Sequence, residues 1–145
     1  MINTQTKPPL NLVNVVIFVG SPIVALILVP LWGIYHGFDS FQWLWALAFL
    51  YLNGMSITGG YHRLWAHKAY VAKPALKWFF AFWGAGALQN SILIWGSDHR
   101  RHHRHVDDNT LDPYSAGNGL WFSHIGWMLR NYNTNAQDFN NARDL

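Results

Sequence analysis

Two long uncharged hydrophobic runs, separated by a short link, occupy the first part of the chain. No residue carries a formal charge from Pro8 to Phe38, and the apolar core of this run is Val15 to Tyr35. A second uncharged run extends from Ser40 to Tyr61. Each run is long enough, at helical rise, to cross about 30 Å of hydrocarbon. The pattern predicts a transmembrane helical hairpin over residues 15–61, preceded by an N-terminal cytosolic segment at 1–14.

A third apolar run, Trp78 to Gly96, is interrupted near its end by the polar residues 89–91. Histidines cluster on both sides of it, and a single crossing would separate the two clusters by the bilayer. We therefore predict a helix that lies in or under the membrane interface. Next come a turn-rich stretch at 107–119 and a short amphipathic helix at 120–132, and the chain ends in a polar tail at 133–145.

The basic residues predict the orientation of the hairpin. Lys7 precedes the first run, Arg63 and Lys68 follow the second, and the link between the runs has no Lys or Arg. Cytoplasmic flanks of membrane spans are enriched in such residues. The N-terminus and the histidine-bearing region at 62–132 should therefore face the cytoplasm.

The composition restricts the fold class and the kinds of metal site. Hydrophobic residues make up 51% of the chain and charged residues 12%, which is typical of an all-α integral membrane protein with one hairpin followed by interfacial and cytosolic helices. Cys is absent, so Cys-based zinc and iron–sulfur sites are excluded. All seven acidic residues are Asp, which also excludes Glu-rich di-iron sites. Any metal must be bound mainly by histidine.

Five histidines form two compact groups. His62 and His67 are about 140° apart on an ideal α-helix, so they can share one metal only if the helix unwinds, or they serve two nearby ions. His99, His102 and His103 have spacings that place them on one helical face. Clustered imidazoles suit iron, copper, zinc and nickel. These five residues are the predicted metal ligands.

The remaining polar residues also have interpretations that need no metal site. His36, His105 and His124 are isolated or point away from the groups, which favours surface or structural roles. The arginines around the second group could form a basic patch for anionic membrane lipid on the face opposite the ligands. Nucleic acid is a poor partner for a chain with two predicted spans.

Two segments carry a resemblance to a known family. "GGYHRLWAHKAY" and "WGSDHRRHHRHVDDNTLDPYSAGNGLWFSHIGWML" resemble the first and second histidine boxes of the membrane-bound stearoyl-type (delta-9) acyl desaturases, particularly bacterial ones. The resemblance runs from Val15 to Leu129. It implies a di-iron centre that uses O2 and an external electron donor. This centre would introduce a cis double bond into a saturated acyl chain at the delta-9 position. The resemblance makes the five clustered histidines iron ligands, and it implies location in a bacterial inner membrane.

The same resemblance suggests substrate-binding residues. Asn90, Trp95 and Asp98 would lie near the substrate entrance. The animal enzymes carry an arginine for the coenzyme A headgroup where this chain has Ser97. Acyl-CoA, acyl-phospholipid and acyl carrier protein therefore remain open as substrates, with Arg100 or Arg104 as possible replacements for the missing arginine.

The third histidine box of that family, HNxHH, and its second membrane hairpin have no counterpart in these 145 residues. We expect an N-terminal fragment with an incomplete ligand set that is inactive alone. The alternatives are a non-catalytic metal- or lipid-binding membrane protein and a related di-iron hydroxylase or alkane monooxygenase. A bis-histidine haem protein is a further contender.

Overall fold

The computed structural model describes residues 7–132 and 139–145, which fold into helices joined by turns. Within these residues the only extended pairing is a single bridge between Leu10 and Arg130. The predicted all-helical class is confirmed. The described chain divides into two compact units, one made of 7–39 with 105–132 and the other of 40–104 with 139–145.

The first unit contains the long apolar helix α1, Leu12–His36. Within the described residues it is the one helix long and apolar enough to cross a membrane. An 18-residue stretch of it has a mean hydropathy of 2.7, and none of that stretch is buried. Asn11 caps its start, because the Asn11 side chain accepts a hydrogen bond from the Asn14 N–H. It ends at Gly37, whose φ of 71° lies in the left-handed region that glycine adopts at low cost.

Polar contacts fasten the start of α1 to a short helical segment formed by Phe122–Gly126 and Trp127–Leu129. The Asn11 N–H donates to the Leu129 carbonyl at 2.9 Å, and the Asn14 side chain donates to the Met128 carbonyl at 2.8 Å. The predicted helix at 120–132 therefore ends earlier, because Arg130 is extended and pairs with Leu10.

A buried carboxylate organises the turn-rich stretch of the first unit. Asp112 is fully buried, and its two oxygens accept hydrogen bonds from the N–H groups of Asp107 and Tyr114 at 3.0 and 3.1 Å. Asp108 accepts in the same way from the Thr110 and Leu111 N–H groups. Side chains that bond nearby backbone stabilise turns, as the sequence predicts.

The second unit begins with helix α2, Ser40–Met55, which continues directly into the central π-helix, Ser56–Ala66. Helix α3, Pro74–Ala85, packs across this π-helix. The contact is close: a Cβ on Gly60 would lie 2.6 Å from the Cβ of Phe80. Leu64, Ala72 and Phe80 form the buried cluster between them.

The third apolar run is not the single helix that the sequence predicts. It is divided between α3 and α4, Ile92–Arg104. Leu88 and Asn90 have left-handed φ angles of 55° and 70° in the turn, and the Ser91 hydroxyl accepts from the Ile94 N–H at the start of α4. The polar residues that interrupt the run thus turn the chain and cap a new helix.

Candidate metal centre

The first two histidines lie at the carboxyl end of the central π-helix. The backbone N–H of His67 donates to the carbonyl of His62 at 2.9 Å, which is the five-residue bond that defines a π-helix. The wider turn brings residues five apart onto one face, and the two Nε2 atoms lie 3.1 Å apart. The unwinding that the sequence required for a shared site is supplied by this π geometry.

Helix α4 brings two more imidazoles to the same point. His99 and His103 are one turn apart on α4, and their Nε2 atoms are separated by 3.1 Å. The Nε2 of His99 also lies 3.0 Å from that of His67. Ligand nitrogens of His62, His67, His99 and His103 all lie within 4.8 Å of one another. The two histidine groups therefore form one cluster, which we call the histidine cluster.

His102 borders this cluster without joining it. Its ring centroid is 6.3 Å from that of His99 and 5.5 Å from that of His103. The structure thus brings together four of the five predicted ligands, while the role of His102 stays a prediction. His36, His105 and His124 belong to the other structural unit.

Trp95 forms a wall of the histidine cluster. Its ring stacks on that of His99 with centroids 4.6 Å apart and an interplanar angle of 25°. The ring of His62 is nearly perpendicular to it, at an interplanar angle of 88°, with centroids 6.2 Å apart. The indole N–H donates to the Gln89 side chain at 3.1 Å, which fixes the plane of the ring. Trp95, predicted near the substrate, thus lies directly against the candidate ligands.

The surroundings of His67 and His99 favour neutral imidazole. The pKa of His99 is lowered from 6.5 to about 3. Burial is the larger cause, and repulsion from the charges of the neighbouring histidines is the smaller one. Burial and the charges of His62, His103 and Arg100 also lower the pKa of His67. Neutral imidazole has the lone pair that a metal needs, so neither ring must lose a proton at neutral pH before binding.

The lipid and headgroup hypotheses require Arg100 to face outward, but the structure turns its side chain inward. Its Nε and Nη2 atoms donate to the carbonyls of Ala66 and Trp65 at 2.9 and 2.7 Å. The guanidinium also forms a two-pronged ion pair with Asp144 at 2.7 and 3.0 Å. These partners occupy the guanidinium, so Arg100 is excluded as a replacement for the missing headgroup arginine; Arg104 is exposed and remains available for that role.

The other predicted substrate residues lie in different surroundings. Asp98 pairs with Arg101 at 3.0 Å, and burial raises its pKa while Arg101 opposes the increase. Asn90 is exposed in the turn before α4. Ser97, at the position where the animal enzymes have arginine, is buried, and its hydroxyl donates to the Asn141 side chain at 2.7 Å.

Sequence reasoning missed the contribution of the last residues. Phe139–Ala142 form a 3-10 turn against α4, and Ala142 is 1% exposed. Hydrogen bonds from Arg100 and Lys68 hold the pKa of Asp144 well below its ordinary value. Arg100 and Asp144 are 44 residues apart along the chain, so no local spacing could have indicated their contact.

Comparison with known proteins supports the resemblance. A probable acyl-CoA desaturase of Schizosaccharomyces pombe is 38% identical over 121 residues, which cover 83% of this chain and 24% of the relative. A delta-9 fatty-acid desaturase of Caenorhabditis elegans is 39% identical over 119 residues, 80% of this chain and 34% of the relative. Human stearoyl-CoA desaturase is 37% identical over 89 residues, 61% of this chain and 24% of the relative.

No protein-family profile matches the chain. The chain spans about a quarter to a third of the length of the relatives described above. These relatives come from a fungus and from animals, so the bacterial subtype stays a prediction. Over the shared segment, which contains the whole histidine cluster, the chain is a homologue of fatty acyl desaturases.

Proposed function

We propose that this chain forms part of the metal centre of an iron-dependent fatty acyl desaturase. The observation that carries the proposal is the convergence of four imidazole nitrogens from two helices, within the segment shared with acyl-CoA desaturases. The cluster consists of imidazoles alone, a ligand type that binds iron well.

The spacing of the nitrogens supports a metal-binding role. Metal–imidazole bonds are about 2.1 Å long, so two adjacent ligands of one ion lie about 3.0–3.4 Å apart. The three Nε2 separations of 3.0 and 3.1 Å fit that range. Iron, when bound, would supply the activation of O2 and the removal of two hydrogens from an acyl chain.

The residues of the chain have separable roles in this proposal. His62, His67, His99 and His103 hold iron, and His102 is proposed as a fifth ligand. Trp95 fixes the plane of His99 and excludes water from one side of the cluster. Five imidazoles are few for a two-iron site, so further ligands are proposed to come from elsewhere in the intact protein.

The substrate is proposed to be a saturated acyl chain carried by coenzyme A, because two of the relatives described above are named a probable acyl-CoA desaturase and a stearoyl-CoA desaturase. Asn90, Trp95 and Asp98 are proposed to line its entrance. Acyl-phospholipid and acyl carrier protein are the competing carriers, and O2 and an external one-electron donor complete the reaction.

A membrane location is proposed for the intact protein. Helix α1 is long and apolar enough to cross a bilayer, and α2 exposes large apolar side chains, among them Phe41, Leu44 and Leu50. We propose that these helices form a hairpin, with the histidine cluster at the cytoplasmic face of a bacterial inner membrane. Both exposed apolar surfaces would then contact lipid.

Expression of the intact protein in a host that lacks its own acyl desaturase tests the proposed reaction. We expect cis-monounsaturated acyl chains with the delta-9 bond, detected by gas chromatography and mass spectrometry. The His103→Ala variant should give none, while His36→Ala, altered in the other structural unit, should behave as the wild type. Hydroxylated chains would instead indicate a hydroxylase, and iron binding without any product a non-catalytic metal protein.

Membranes from the same host identify the carrier. Labelled acyl-CoA, acyl carrier protein and phospholipid are supplied separately, with O2 and a reductant. We expect product from acyl-CoA first; early product in phospholipid alone would overturn the acyl-CoA assignment.

A further inference from the structure

Arg100 connects the two histidine-bearing helices. It follows His99 on α4, and its guanidinium donates to the carbonyls of Trp65 and Ala66, the last residues before His67. Those carbonyls lie at the carboxyl end of the central π-helix, where helical carbonyls lack partners within the helix. One side chain therefore fixes the separation of two elements that supply two ligands each.

Asp144 holds this connection in place. Its oxygens accept from both terminal nitrogens of Arg100, at 2.7 and 3.0 Å, and one of them also pairs with Lys68 at 2.9 Å. Lys68 follows His67 and has a left-handed φ of 51°, a conformation that persists in a non-glycine residue only where its surroundings hold it. Asp144 thus contacts the residue after a candidate ligand on each helix.

Asn141 makes the contact two-sided. The Asn141 carbonyl accepts from Arg100 at 2.7 Å, and its side chain exchanges two hydrogen bonds with Ser97, to the hydroxyl at 2.7 Å and to the carbonyl at 2.9 Å. The turn that carries Asn141 and Asp144 is therefore attached to α4 at two successive helical turns. We call the arrangement of Arg100, Lys68, Asn141 and Asp144 the clasp.

We infer that Asp144 is a positioning residue, which acts through Arg100 to hold the central π-helix and α4 at the separation where their histidines bind metal. The inference rests on the proposed function in that the histidine cluster is taken to be a metal site. None of the clasp residues is itself a ligand in this proposal.

The Arg100 side chain is 17% exposed and that of Asp144 35% exposed, so the pair is partly desolvated. With an amide in place of the carboxylate, Arg100 and Lys68 would lose this counter-charge, and the guanidinium would lose at least one of its two hydrogen bonds to this side chain. Removing the partner of a charge that is largely withdrawn from water, as Arg100 is, costs more than an exposed pair is worth. The guanidinium of Arg100 should then move toward water and lose its hydrogen bonds to the Trp65 and Ala66 carbonyls.

Metal titration of the intact, detergent-solubilised protein tests the inference. Cobalt(II) serves as the probe, because its visible spectrum reports the number and geometry of its ligands. Residues that orient ligands typically contribute 10–100-fold to metal affinity, so Asp144→Asn should weaken cobalt binding by about that factor. Asp144→Glu, which keeps the charge and the two-pronged contact, should restore most of the affinity and the wild-type spectrum. Asp108→Asn, in a turn of the other unit, is the matched control and should bind as the wild type.

Hydrogen exchange in the metal-free protein provides an independent readout of the clasp. The His67 and Ala69 N–H groups are bonded to the carbonyls of His62 and Arg63. In Asp144→Asn, peptides covering these amides should exchange faster than in the wild type, with Asp144→Glu again close to the wild type.

The outcomes separate the two proposals. If the wild type binds no metal but exchange rises in Asp144→Asn, the metal-site proposal fails and the clasp remains as a structural contact. If the wild type binds cobalt and Asp144→Asn binds equally well with an unchanged spectrum, the positioning role is overturned. Equal weakening in Asp144→Glu and Asp144→Asn would also overturn it, because the retained charge should rescue the site.

Discussion

Replacing His99 by alanine should abolish metal binding by this protein. His99 is the centre of the histidine cluster, because its Nε2 lies 3.0 Å from that of His67 and 3.1 Å from that of His103. Loss of a residue that merely orients a ligand costs 10–100-fold in affinity, so loss of the central ligand should cost more than about 100-fold. Iron content after purification and cobalt titration of the metal-free protein both measure this.

His105→Ala is the matched control for that experiment. His105 follows the end of α4 and lies in the other structural unit, so its removal should change affinity by no more than about twofold, as is usual for residues away from special features. Comparable losses in the two variants would show that the site is not the histidine cluster.

His102→Ala decides whether the fifth predicted ligand binds: we expect reduced iron content and less unsaturated product.

Replacing Gly60 by alanine should destabilise the unit that carries the cluster. A Cβ at this position would lie 2.6 Å from the Cβ and 2.9 Å from the Cγ of Phe80, and 3.1 Å from the ring of Trp65. The Cβ of Phe80 is fixed to the backbone of α3, so the two helices would have to move apart. Overpacking of this kind costs about 1–3 kcal/mol in the free energy of unfolding. Denaturant unfolding in detergent measures the change.

Gly54→Ala provides the comparison for Gly60→Ala. Both glycines lie in the continuous helical run from Ser40 to Ala66, but a Cβ on Gly54 would meet no atom within 4 Å. Alanine there should leave stability unchanged or raise it by about 0.5–1 kcal/mol, because glycine loses more conformational freedom on folding. If Gly60→Ala were as stable as Gly54→Ala, the packing of α3 on the central π-helix would be wrong.

Local sequence patterns predicted much of the site. The charge-free run indicated α1, and the spacing of four placed His99 and His103 on one face of a helix, as found. The two histidine groups, which the sequence analysis takes to share one site, are in contact through His67 and His99. A hydropathy run and a helical spacing are local properties, which neighbouring residues determine.

The failures have two physical causes, which are local departures from ideal α-helical geometry and contacts between residues distant in sequence. The pairing of His62 with His67 needs a π-helix, and the ideal α-helix used for the sequence prediction separates these residues. Arg100 resembles a surface residue on the helical wheel, yet its partners are 34 to 44 residues away. The polar residues 89–91 mark the break between α3 and α4 in the sequence. Their pattern alone does not indicate that Ser91 caps a new helix.

X-ray absorption at the iron edge of the intact protein shows whether the histidine cluster binds iron. We expect bound iron with several imidazole nitrogens at about 2.0–2.1 Å, and loss of this signal in His99→Ala. Protein that is folded but contains no iron, or iron whose shell lacks imidazole, would contradict the account.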